Sequence, residues 1–413
     1  MKAIVLGNGR SGKAAAELLR REGATVTVLD GADRWPSDMA CDLCVTSPGI
    51  ALDHPWQHAA RAAGVKVVSE LQLGAERWLA RGGRMLAVTG SKGKSSVVKL
   101  VAETLQLAGL PATPCGNYGT PLCEVVNSSD LGRQPSNSSL QTPSWAVVEV
   151  SSFQMETTDL PNDAFAAAAI LNLQEDHLDR HGSAAVYHGL KRRLLEMAVV
   201  RVDASRADEE HPLVVGTTDA DVKLLSHSYF DNPVLRSNGL CAVALLRAAG
   251  LEETDISTGF AAFRPLPHRM QLVLERGGVR WIDDSKATSL AALAAGVGMC
   301  VGPVRLIAGG LPKGDDPKSV IPRLRSRVKK VYLIGRCAQQ FLEAWREAVP
   351  CELCGTLGCA VEAVRRDACS GETVLLSPGT ASFDQFKSYG ARGDAFAALA
   401  REGADGVVGG ASK

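Results

Sequence analysis

The sequence predicts an α/β protein of three domains, each built on a mostly parallel sheet. The chain has 413 residues, more than a single hydrophobic core usually organises. Two glycine-rich loops each stand between a short apolar run and an amphipathic one, which is the order strand, loop, helix. The last third of the chain again alternates apolar runs with helical patterns, as parallel sheets covered by helices do. We place the domains at residues 1–84, 85–266 and 267–413.

The first glycine loop, residues 7–12, reads G-N-G-R-S-G and lies between a strand predicted at 3–6 and a helix predicted at 13–21. A second predicted strand, 25–29, ends at Asp30. This is the G-x-G-x-x-G spacing of a Rossmann-like domain, in which a helix N-terminus binds a diphosphate and an acid contacts a ribose. Alone it favours an NAD(P) dehydrogenase, and the alternative is a doubly wound domain whose glycines serve only helix–strand packing. The pattern therefore predicts a Rossmann-like first domain without identifying its nucleotide.

The second glycine loop follows an apolar run at 86–88 and precedes an amphipathic helix predicted at 97–107. It reads G-S-K-G-K-S, a shorter form of the P-loop, because Val88 occupies the place of the general pattern's first glycine. In such a loop Lys94 contacts the β- and γ-phosphates and Ser95 binds Mg²⁺. The alternative is an ordinary glycine turn that caps a helix. Strand, Gly-Lys-Ser and helix in this order favour nucleotide binding by a central domain of the P-loop ATPase type.

A single acid interrupts the next strongly apolar run, residues 145–150. A carboxylate in a buried strand is costly unless it is paired or binds a metal, so Glu149 is predicted to bind Mg²⁺, with a salt bridge as the alternative. A polar turn at 151–154 follows at the carboxyl end of the strand, where α/β proteins bind ligands. The apolar run 164–171 also ends in acids and histidines. This clustering predicts a second metal or substrate site that includes His177.

The overall composition excludes several classes of function. Charges balance at 45 basic and 45 acidic residues, so no net field attracts nucleic acid or an anionic membrane. No apolar stretch reaches membrane-spanning length, and the N-terminal apolar run is too brief for a signal peptide. Eleven irregularly spaced cysteines are typical of a reducing cytosol, and core packing explains the two Cys-x-x-Cys pairs better than zinc does. We expect a cytoplasmic protein with no nucleic-acid or membrane partner.

The last domain begins after a stiff, proline-containing linker at 264–267. A strand predicted at 279–282 opens onto the polar residues 283–286, and a helix is predicted at 287–297. The alternation of strands and helices then continues, which predicts a Rossmann-like third domain. The further strands are expected at 304–308, 331–334 and 373–376. In the central domain, by contrast, the polar segment 127–144 has no periodicity and is interpreted as a flexible surface excursion.

Seven stretches carry a resemblance that covers nearly the entire chain. They are residues 47–50, 89–95, 149–154, 171–179, 267–269, 281–288 and 376–392. In this order they resemble the Mur ligase family, and most closely its members that add D-glutamate to a peptidoglycan precursor. The turn at 151–154 and the run A-S-F-D-Q-F-K from Ala381 are most similar to those members. The resemblance implies a monomeric, ATP-dependent amide ligase that joins D-glutamate to UDP-N-acetylmuramoyl-L-alanine through an acyl phosphate.

The resemblance assigns the two glycine loops to different nucleotides. The first domain would hold the UDP of the substrate rather than a dinucleotide cofactor. The implied UDP-substrate residues are Arg10, Ser11, Asp30, Ser47, Pro48, Gly49, Asn117 and Gly119. ATP would contact Gly90, Ser91, Lys92, Gly93, Lys94, Ser95, Ser96, Asn238, Arg269, Asp284 and Lys286. The D-glutamate carboxylates would contact Thr288, Lys313, Ser382, Phe383 and Tyr389.

The resemblance also changes the interpretation of Lys191. The residue pattern alone predicts an exposed helix residue, but the family places a carbamylated lysine four residues after an aromatic such as Tyr187. A carbamate is a carboxylate-like oxygen ligand that suits Mg²⁺. The ligands implied for two Mg²⁺ ions are Ser95, Glu149, His177 and Lys191. The implied catalytic residues are Lys94, His177 and Lys191.

The chain departs from the family around the expected adenine site. Asn238 fits one of two family asparagines, but Leu235 occupies the position of the other, and the segment 200–236 is short. Lys313 follows the sequence G-G-L-P, where the family usually has a more flexible glycine loop. Three rival classes of function remain. They are another Mur-type or folylpolyglutamate-synthase-like amide ligase, an NAD(P) dehydrogenase, and a non-catalytic nucleotide-binding regulator.

Overall fold

The structure is a computed structural model that describes residues 1–31, 33–36, 41–129, 144–174, 176–205 and 218–402. The predicted α/β class is confirmed, because three mostly parallel sheets alternate with helices along the chain. The chain divides into two compact units, Met1–Phe263 and Arg264–Lys413. The first unit holds two of the sheets, so the predicted boundary after residue 84 stays a prediction. Most of the predicted excursion at 127–144 lies outside the described residues.

The first sheet places the first glycine loop between two neighbouring strands. Its strands are β1 (Lys2–Leu6), β2 (Thr25–Leu29), β3 (Leu43–Thr46) and β4 (Lys66–Ser69). Its helices are α1 (Arg10–Arg21), α2 (Pro55–Ala62) and α3 (Glu70–Ala80). All four strands are parallel and follow the order β2-β1-β3-β4. The loop after β1 therefore lies between the carboxyl ends of β2 and β3, where sheets of this type bind ligands.

The central sheet brings three loops to one edge. Its strands are β5 (Arg84–Thr89), β6 (Ala112–Gly116), β7 (Trp145–Glu149), β8 (Phe165–Ile170) and β9 (Ala198–Asp203). The helices are α4 (Lys94–Leu107), α5 (Leu122–Ser128), α6 (Ser152–Met155), α7 (Leu178–His181), α8 (Ala184–Glu196), α9 (Asp219–Leu224), α10 (Arg236–Ala248) and α11 (Glu253–Ala262). The strands are parallel in the order β6-β7-β5-β8-β9. The loops after β5, β7 and β8 therefore meet at the carboxyl edge.

One apolar core joins the two sheets of the first unit. Leu19 of α1, Leu71 of α3, Leu122 of α5 and Val148 of β7 belong to the same cluster of buried side chains. The cluster runs from the first sheet through α3 and α5 to the central sheet, which explains why this unit contains both. None of the helices in the described ranges combines the length and the apolar character needed to cross a bilayer.

The second unit is a six-stranded sheet with apolar clusters on both faces. Its strands are β10 (Gln271–Arg276), β11 (Val279–Asp283), β12 (Val304–Gly309), β13 (Val328–Ile334), β14 (Cys351–Gly355) and β15 (Thr373–Leu376). Its helices are α12 (Leu290–Met299), α13 (Ile321–Arg327), α14 (Ala338–Trp345), α15 (Leu357–Asp367) and α16 (Tyr389–Glu402). The order is β10-β11-β15-β12-β13-β14, and only β10 is antiparallel to its neighbour. Neither of the two edge strands, β10 and β14, was predicted. The helix predicted from residue 287 begins at Leu290, because the Ser289 hydroxyl accepts a hydrogen bond from Ala292 N–H as the N-cap.

A buried carboxyl group lies where α3 packs on α5. Glu70 is the first residue of α3 and is almost completely buried. Its Oε1 accepts a hydrogen bond of 2.7 Å from the backbone N–H of Cys123, in the first turn of α5. Burial raises the pKa of Glu70 to about 7, although the Cys123 hydrogen bond acts in the opposite direction. The folded protein therefore retains a proton on Glu70 at pH values where the unfolded chain has lost it.

We expect Glu70→Gln to change how the free energy of unfolding depends on pH. Between the ordinary pKa of 4.5 and about 7 the native state binds more protons than the unfolded state, so the stability of the unchanged protein falls as pH rises. Relative to Glu70→Gln, the unchanged protein should lose about 3 kcal/mol across this window. Urea denaturation at several pH values measures the difference, with Glu76→Gln on the same helix as the control. Parallel pH profiles for the unchanged protein and Glu70→Gln would contradict the assignment.

Candidate active site

The loop between β5 and α4 has the backbone of a phosphate-binding site. Strand β5 ends at Thr89 and α4 begins at Lys94. Gly90 and Gly93 have positive φ values of 145° and 86°. A Cβ atom on Gly93 would lie 2.3 Å from Asn238 Nδ2, so a side chain does not fit there. The loop leads into the N-terminus of a 14-residue helix, whose free N–H groups and positive dipole end favour an anion.

The side chain of Lys94 folds back over this loop. Its Nζ donates hydrogen bonds to the carbonyl oxygens of Gly90, at 2.8 Å, and Ser91, at 3.2 Å. Asn172, just after β8, holds the loop from the other side. Its carbonyl oxygen accepts from Ser91 N–H at 3.0 Å and its Oδ1 accepts from Lys92 N–H at 2.9 Å. The predicted phosphate-binding lysine is therefore anchored at the loop that would hold the phosphates.

Glu149 and Ser95 lie side by side next to the loop, as the prediction of a shared Mg²⁺ requires. Ser95 Oγ donates a hydrogen bond of 2.8 Å to Glu149 Oε2. The other carboxylate oxygen, Oε1, accepts a hydrogen bond of 2.7 Å from Asn117 Nδ2. In the described part of the chain no Lys, Arg or His side chain forms an ion pair with this buried carboxylate. The salt bridge considered as an alternative for Glu149 is therefore not the explanation of its burial.

Lys191 is buried against the phosphate loop, so the pattern-based expectation of an exposed helix residue is wrong. Its side chain belongs to the buried face of α8 together with Tyr187 and Leu194, at i−4 and i+3. Its Nζ donates to Gly90 O at 3.0 Å and to Thr89 Oγ1 at 3.4 Å. Burial, with a smaller contribution from the nearby Lys94, lowers the pKa of Lys191 from 10.5 to about 7.

Tyr187 connects the phosphate loop with His177. The Tyr187 hydroxyl is 3.1 Å from Ser91 Oγ, and its ring lies 4.7 Å from Lys191 Nζ. His177 precedes α7 with a positive φ of 54°, and its ring is 4.8 Å from the Phe153 ring and 6.2 Å from the Tyr187 ring. Its side chain remains 46% exposed. The structure thus brings His177 and Lys191 to the same aromatic side chain.

The oxygen donors at the loop fit a magnesium ion. Within the described ranges no three His, Cys, Asp or Glu side chains cluster as a metal site. Mg²⁺, however, usually binds one or two protein oxygens and completes its coordination with water and substrate phosphates. Ser95 Oγ and Glu149 Oε2 are two such oxygens, and they adjoin the phosphate loop. The donor set is therefore sufficient for an ion that also binds nucleotide phosphate.

Most of the predicted UDP-substrate residues lie at the carboxyl edge of the first sheet. Helix α1 begins at Arg10, three residues earlier than predicted, so Arg10 and Ser11 form its first turn. Arg10 Nη1 donates a hydrogen bond of 2.8 Å to Gly119 O. Asp30, Ser47, Pro48 and Gly49 follow the ends of β2 and β3. Asn117 and Gly119 are the exceptions, because both follow β6 of the central sheet, and the Asn117 amide donates a hydrogen bond to Glu149.

The first glycine loop also shows close packing. A Cβ atom on Gly12 would lie 1.8 Å from Gly7 O, so this position requires glycine irrespective of any ligand. Ser47 Oγ donates a hydrogen bond of 3.4 Å to the same carbonyl oxygen. Gly12 therefore has the packing role that was the alternative for these glycines. Close packing at Gly12 is compatible with diphosphate binding at the N-terminus of α1.

Most of the predicted residues of the second unit lie in the loops after β11, β12 and β15, whereas Arg269 precedes β10 and Tyr389 is the first residue of α16. Asp284 is buried and accepts hydrogen bonds from Ser377 Oγ at 2.8 Å and from Met270 N–H at 3.3 Å. Burial raises the pKa of Asp284 to about 7. Lys286 Nζ lies 3.8 Å from the centre of the Tyr389 ring. Of the other predicted residues, Ser382 is buried, Arg269 and Thr288 are partly exposed, and Lys313 and Phe383 are exposed.

Two further residues of this unit were not singled out as site residues in the sequence. Arg392 is buried, and its guanidinium donates to Ser285 Oγ at 2.9 Å, to Ser285 O at 3.0 Å and to Thr380 O at 3.2 Å. Burial lowers the pKa of Arg392 to about 10. His268 Nδ1 lies 2.7 Å from Asp283 Oδ2. The sequence did contain an indication of both residues, because Arg392 ends the stretch 376–392 and His268 lies within 267–269, two of the stretches that carry the resemblance.

Comparison with known proteins identifies the relatives of this chain. A model described as the Mur ligase middle domain matches residues 88–209. The UDP-N-acetylmuramoylalanine–D-glutamate ligase of Nitratidesulfovibrio vulgaris (strain DP4) is 34% identical over 96% of this chain and 95% of its own length. The chain belongs to the Mur ligase family. The enzyme of the same name from Sphingopyxis alaskensis is 37% identical and covers 95% of each chain.

A solved Mur ligase has a similar fold. The UDP-N-acetylmuramate–alanine ligase MurC from Thermotoga maritima covers 98% of this chain and 100% of its own, with a TM-score of 0.55 at 14% sequence identity. At that identity the similarity shows the fold alone. Within the Mur ligase family, the chain is related over nearly its full length to the D-glutamate-adding members named above.

Proposed function

We propose that this Mur ligase joins D-glutamate to UDP-N-acetylmuramoyl-L-alanine at the expense of ATP. The observation that carries the proposal is the buried Glu149 next to Ser95 at the N-terminus of α4, with Lys94 in the same turn, an arrangement that suits nucleotide phosphate and Mg²⁺. The names of relatives at 34% and 37% identity support the choice of substrates. The enzyme would act in the cytoplasm as a monomer on small molecules.

The reaction has two balanced steps. In the first, the alanyl carboxylate attacks the γ-phosphorus of ATP, the bond to the ADP oxygen breaks, and an acyl phosphate forms. In the second, the amine of D-glutamate attacks the acyl carbon, loses a proton, and phosphate leaves. Because both partners of the first step are anions, positioning and charge neutralisation dominate its rate. Lys94 and the N–H groups at the start of α4 would bind the phosphates and neutralise their charge.

Magnesium and the carbamate belong to the same proposal. Ser95 and Glu149 would hold one Mg²⁺, and His177 and a carbamylated Lys191 would hold a second. Bound there, the metal supplies charge neutralisation between the phosphate and the acceptor carboxylate. The low pKa of Lys191 supports carbamylation, because only the unprotonated amine reacts with carbon dioxide, and at a pKa of about 7 much of it is unprotonated. His177 is partly exposed, and its ring lies 6.2 Å from the ring of Tyr187, the aromatic residue that contacts Lys191.

The remaining contacts follow the predicted sets. The edge of the first sheet, with Arg10, Ser11, Asp30 and the turn 47–49, would bind the UDP moiety. Asn117 would orient Glu149, while Gly119 supports Arg10. In the second unit, Arg269, Asp284 and Lys286 would contribute to the ATP site. The D-glutamate carboxylates would be bound by Thr288, Lys313, Ser382, Phe383 and Tyr389.

An amino-acid panel tests the proposed substrate. With ATP, Mg²⁺ and UDP-N-acetylmuramoyl-L-alanine present, we expect phosphate release with D-glutamate and only background release with L-glutamate or L-alanine. A site built to hydrogen-bond particular substrate groups rejects an analogue that leaves such contacts unmade by about four orders of magnitude. L-alanine lacks the side-chain carboxylate, and L-glutamate cannot place its amine and both carboxylates where D-glutamate does. Release stimulated by a different amino acid would favour another Mur-type ligase, and release with a folate acceptor would favour a folylpolyglutamate synthase.

The same protein preparation separates the two remaining rivals. The NAD(P) dehydrogenase predicts tight NAD binding at the first glycine loop, which calorimetry measures directly. It leaves the arrangement of Lys94, Ser95 and Glu149 without a role. A non-catalytic nucleotide-binding regulator predicts ATP binding without phosphate release under every substrate combination. Phosphate release that depends on D-glutamate excludes both.

A further inference from the structure

Arg180, in α7, forms an ion pair, stacks on an aromatic ring and donates hydrogen bonds to backbone carbonyl groups. Its Nε and Nη2 donate hydrogen bonds to the two carboxylate oxygens of Glu156, at 3.0 Å and 2.6 Å. Its guanidinium carbon lies 4.9 Å from the centre of the Phe153 ring. The two side chains of the ion pair are only 17% and 5% exposed. A paired fork of this kind, stacked on an aromatic ring, has one preferred orientation.

The same guanidinium reaches the first sheet. Arg180 Nη2 also donates to Ile50 O at 3.1 Å and to Pro48 O at 3.4 Å. Both carbonyl groups belong to the turn Ser47–Ile50 that follows β3. Within this turn Ile50 N–H donates to Ser47 O at 3.0 Å, and Ser47 Oγ donates to Gly7 O at 3.4 Å. Arg180 is thus connected through the turn to the first glycine loop.

Glu156 is held in place from a second side. His181 Nδ1 lies 3.4 Å from Glu156 Oε1, and His181 Nε2 lies 3.0 Å from Ser152 Oγ. Burial lowers the pKa of His181, an effect that Glu156 opposes, so the imidazole is mainly neutral near pH 7. Arg180 is then the cation that pairs with the Glu156 carboxylate, and the neutral imidazole fixes its orientation. The arrangement leaves Gly49, at the exposed tip of the turn, free to face a ligand.

We propose that Arg180, oriented by Glu156, is a positioning residue that holds the turn Ser47–Ile50 in the conformation that binds the UDP-bearing substrate. The inference rests on the proposed function, because that function assigns the turn to this substrate. Arg180 donates hydrogen bonds to the carbonyl oxygens of Pro48 and Ile50, and these bonds keep the two peptide groups from rotating toward the ligand. It does so from α7, the helix that directly follows His177, and therefore links the UDP edge of the first sheet to the phosphate edge of the central sheet.

Steady-state kinetics of Arg180→Lys and Glu156→Gln test this role. Lysine keeps the charge but lacks the planar fork, so it cannot bind the carboxylate and the carbonyl groups together, and KM for UDP-N-acetylmuramoyl-L-alanine should rise about tenfold. KM for ATP and kcat should stay within about twofold, because the phosphate loop is untouched. Glu156→Gln should raise the same KM by a smaller factor. The matched control is Arg77→Lys, since Arg77 forms a comparable pair with Glu22 (Nε to Oε1 3.0 Å) on α3, without contact to the turn.

Calorimetry with UDP alone separates a failure of the proposed role of Arg180 from a failure of the proposed function. If the unchanged protein shows no D-glutamate-dependent phosphate release, the proposed function is wrong. Weaker UDP binding by Arg180→Lys would still support the positioning role of Arg180. If UDP does not bind the unchanged protein, the inference is wrong. Equal KM rises for ATP and the UDP substrate, an unchanged KM, or the same effect in Arg77→Lys would each overturn it. If Arg180→Lys does not fold, Glu156→Gln carries the same comparison.

Discussion

We expect Lys94→Ala to lower kcat for D-glutamate-dependent phosphate release by about 100- to 1,000-fold, the usual effect of removing one group that stabilises transition-state charge. The Lys94 Nζ is anchored by the carbonyl oxygens of Gly90 and Ser91, within the loop at the N-terminus of α4. Moving a phosphoryl group onto a carboxylate brings two anions together, and the Lys94 ammonium is a positive charge held beside the loop glycines. KM for the UDP substrate should change little, because the proposed UDP site is at the edge of the other sheet.

Lys99→Ala is the matched control for Lys94→Ala. Lys99 lies on the same helix, just over one turn further on, and pairs with Glu103 at 2.7 Å, so its loss alters α4 without altering the loop. A coupled assay that follows phosphate release measures both variants at saturating substrate. Near-normal turnover in Lys94→Ala would show that the nucleotide does not use this loop, and it would remove the central assignment. A comparable loss in Lys99→Ala would point to damage to the helix instead.

The phosphate loop could be predicted because its signal is local. Glycines that need positive φ, followed by Lys94 and Ser95 between a strand and a helix, allow few other conformations, and the structure has that geometry. The burial of Glu149 was predictable for the same reason, since an acid within a continuous apolar run has few explanations. Strands β10 and β14 were missed because they lie at the two edges of the sheet, where the residues are partly exposed and no clear alternation marks them.

Contacts between distant segments could not be predicted from the pattern. Asn117 and Glu149 are separated by 32 positions, and they meet because β6 and β7 are neighbours in the sheet. Arg180 reaches Ile50 across 130 positions. A lysine in an amphipathic helix normally points to water, so the pattern predicts an exposed Lys191. In the structure α8 packs on β5 and β8, and Lys191 is on the buried face. Such residues are specified by tertiary packing, and in this chain only the family resemblance indicated Lys191.

The second large effect is expected at Lys191. Its Nζ and that of Lys94 both donate to the carbonyl oxygen of Gly90, at 3.0 Å and 2.8 Å. The buried Lys191 ammonium loses its hydration, and the Lys94 ammonium at the same oxygen adds a smaller repulsion. Together these two effects lower the pKa of Lys191 to about 7. Carbamylation would replace this repulsion with attraction, because the modified side chain would be an anion beside Lys94.

We therefore expect Lys191→Ala to be nearly inactive, with kcat lowered by about 100-fold or more. Added acetate or formate should restore part of the activity, since a small carboxylate can occupy the space of the missing carbamate. The same additives should not restore Lys94→Ala, which lacks a cation rather than an anion. Arg192→Ala, on the adjacent and exposed position of α8, is the control and should keep its activity.

Carbon-13 NMR with labelled bicarbonate separates a carbamate from an unmodified lysine. The unchanged protein and Arg192→Ala should show a carbamate resonance that Lys191→Ala lacks. Rescue by carboxylates together with this resonance identifies Lys191 as an anionic ligand, whereas a loss of activity without either would mean that the amine itself is required. A fully active Lys191→Ala would remove the residue from the mechanism, and the sharing of Gly90 O by two lysines would then be only a feature of packing.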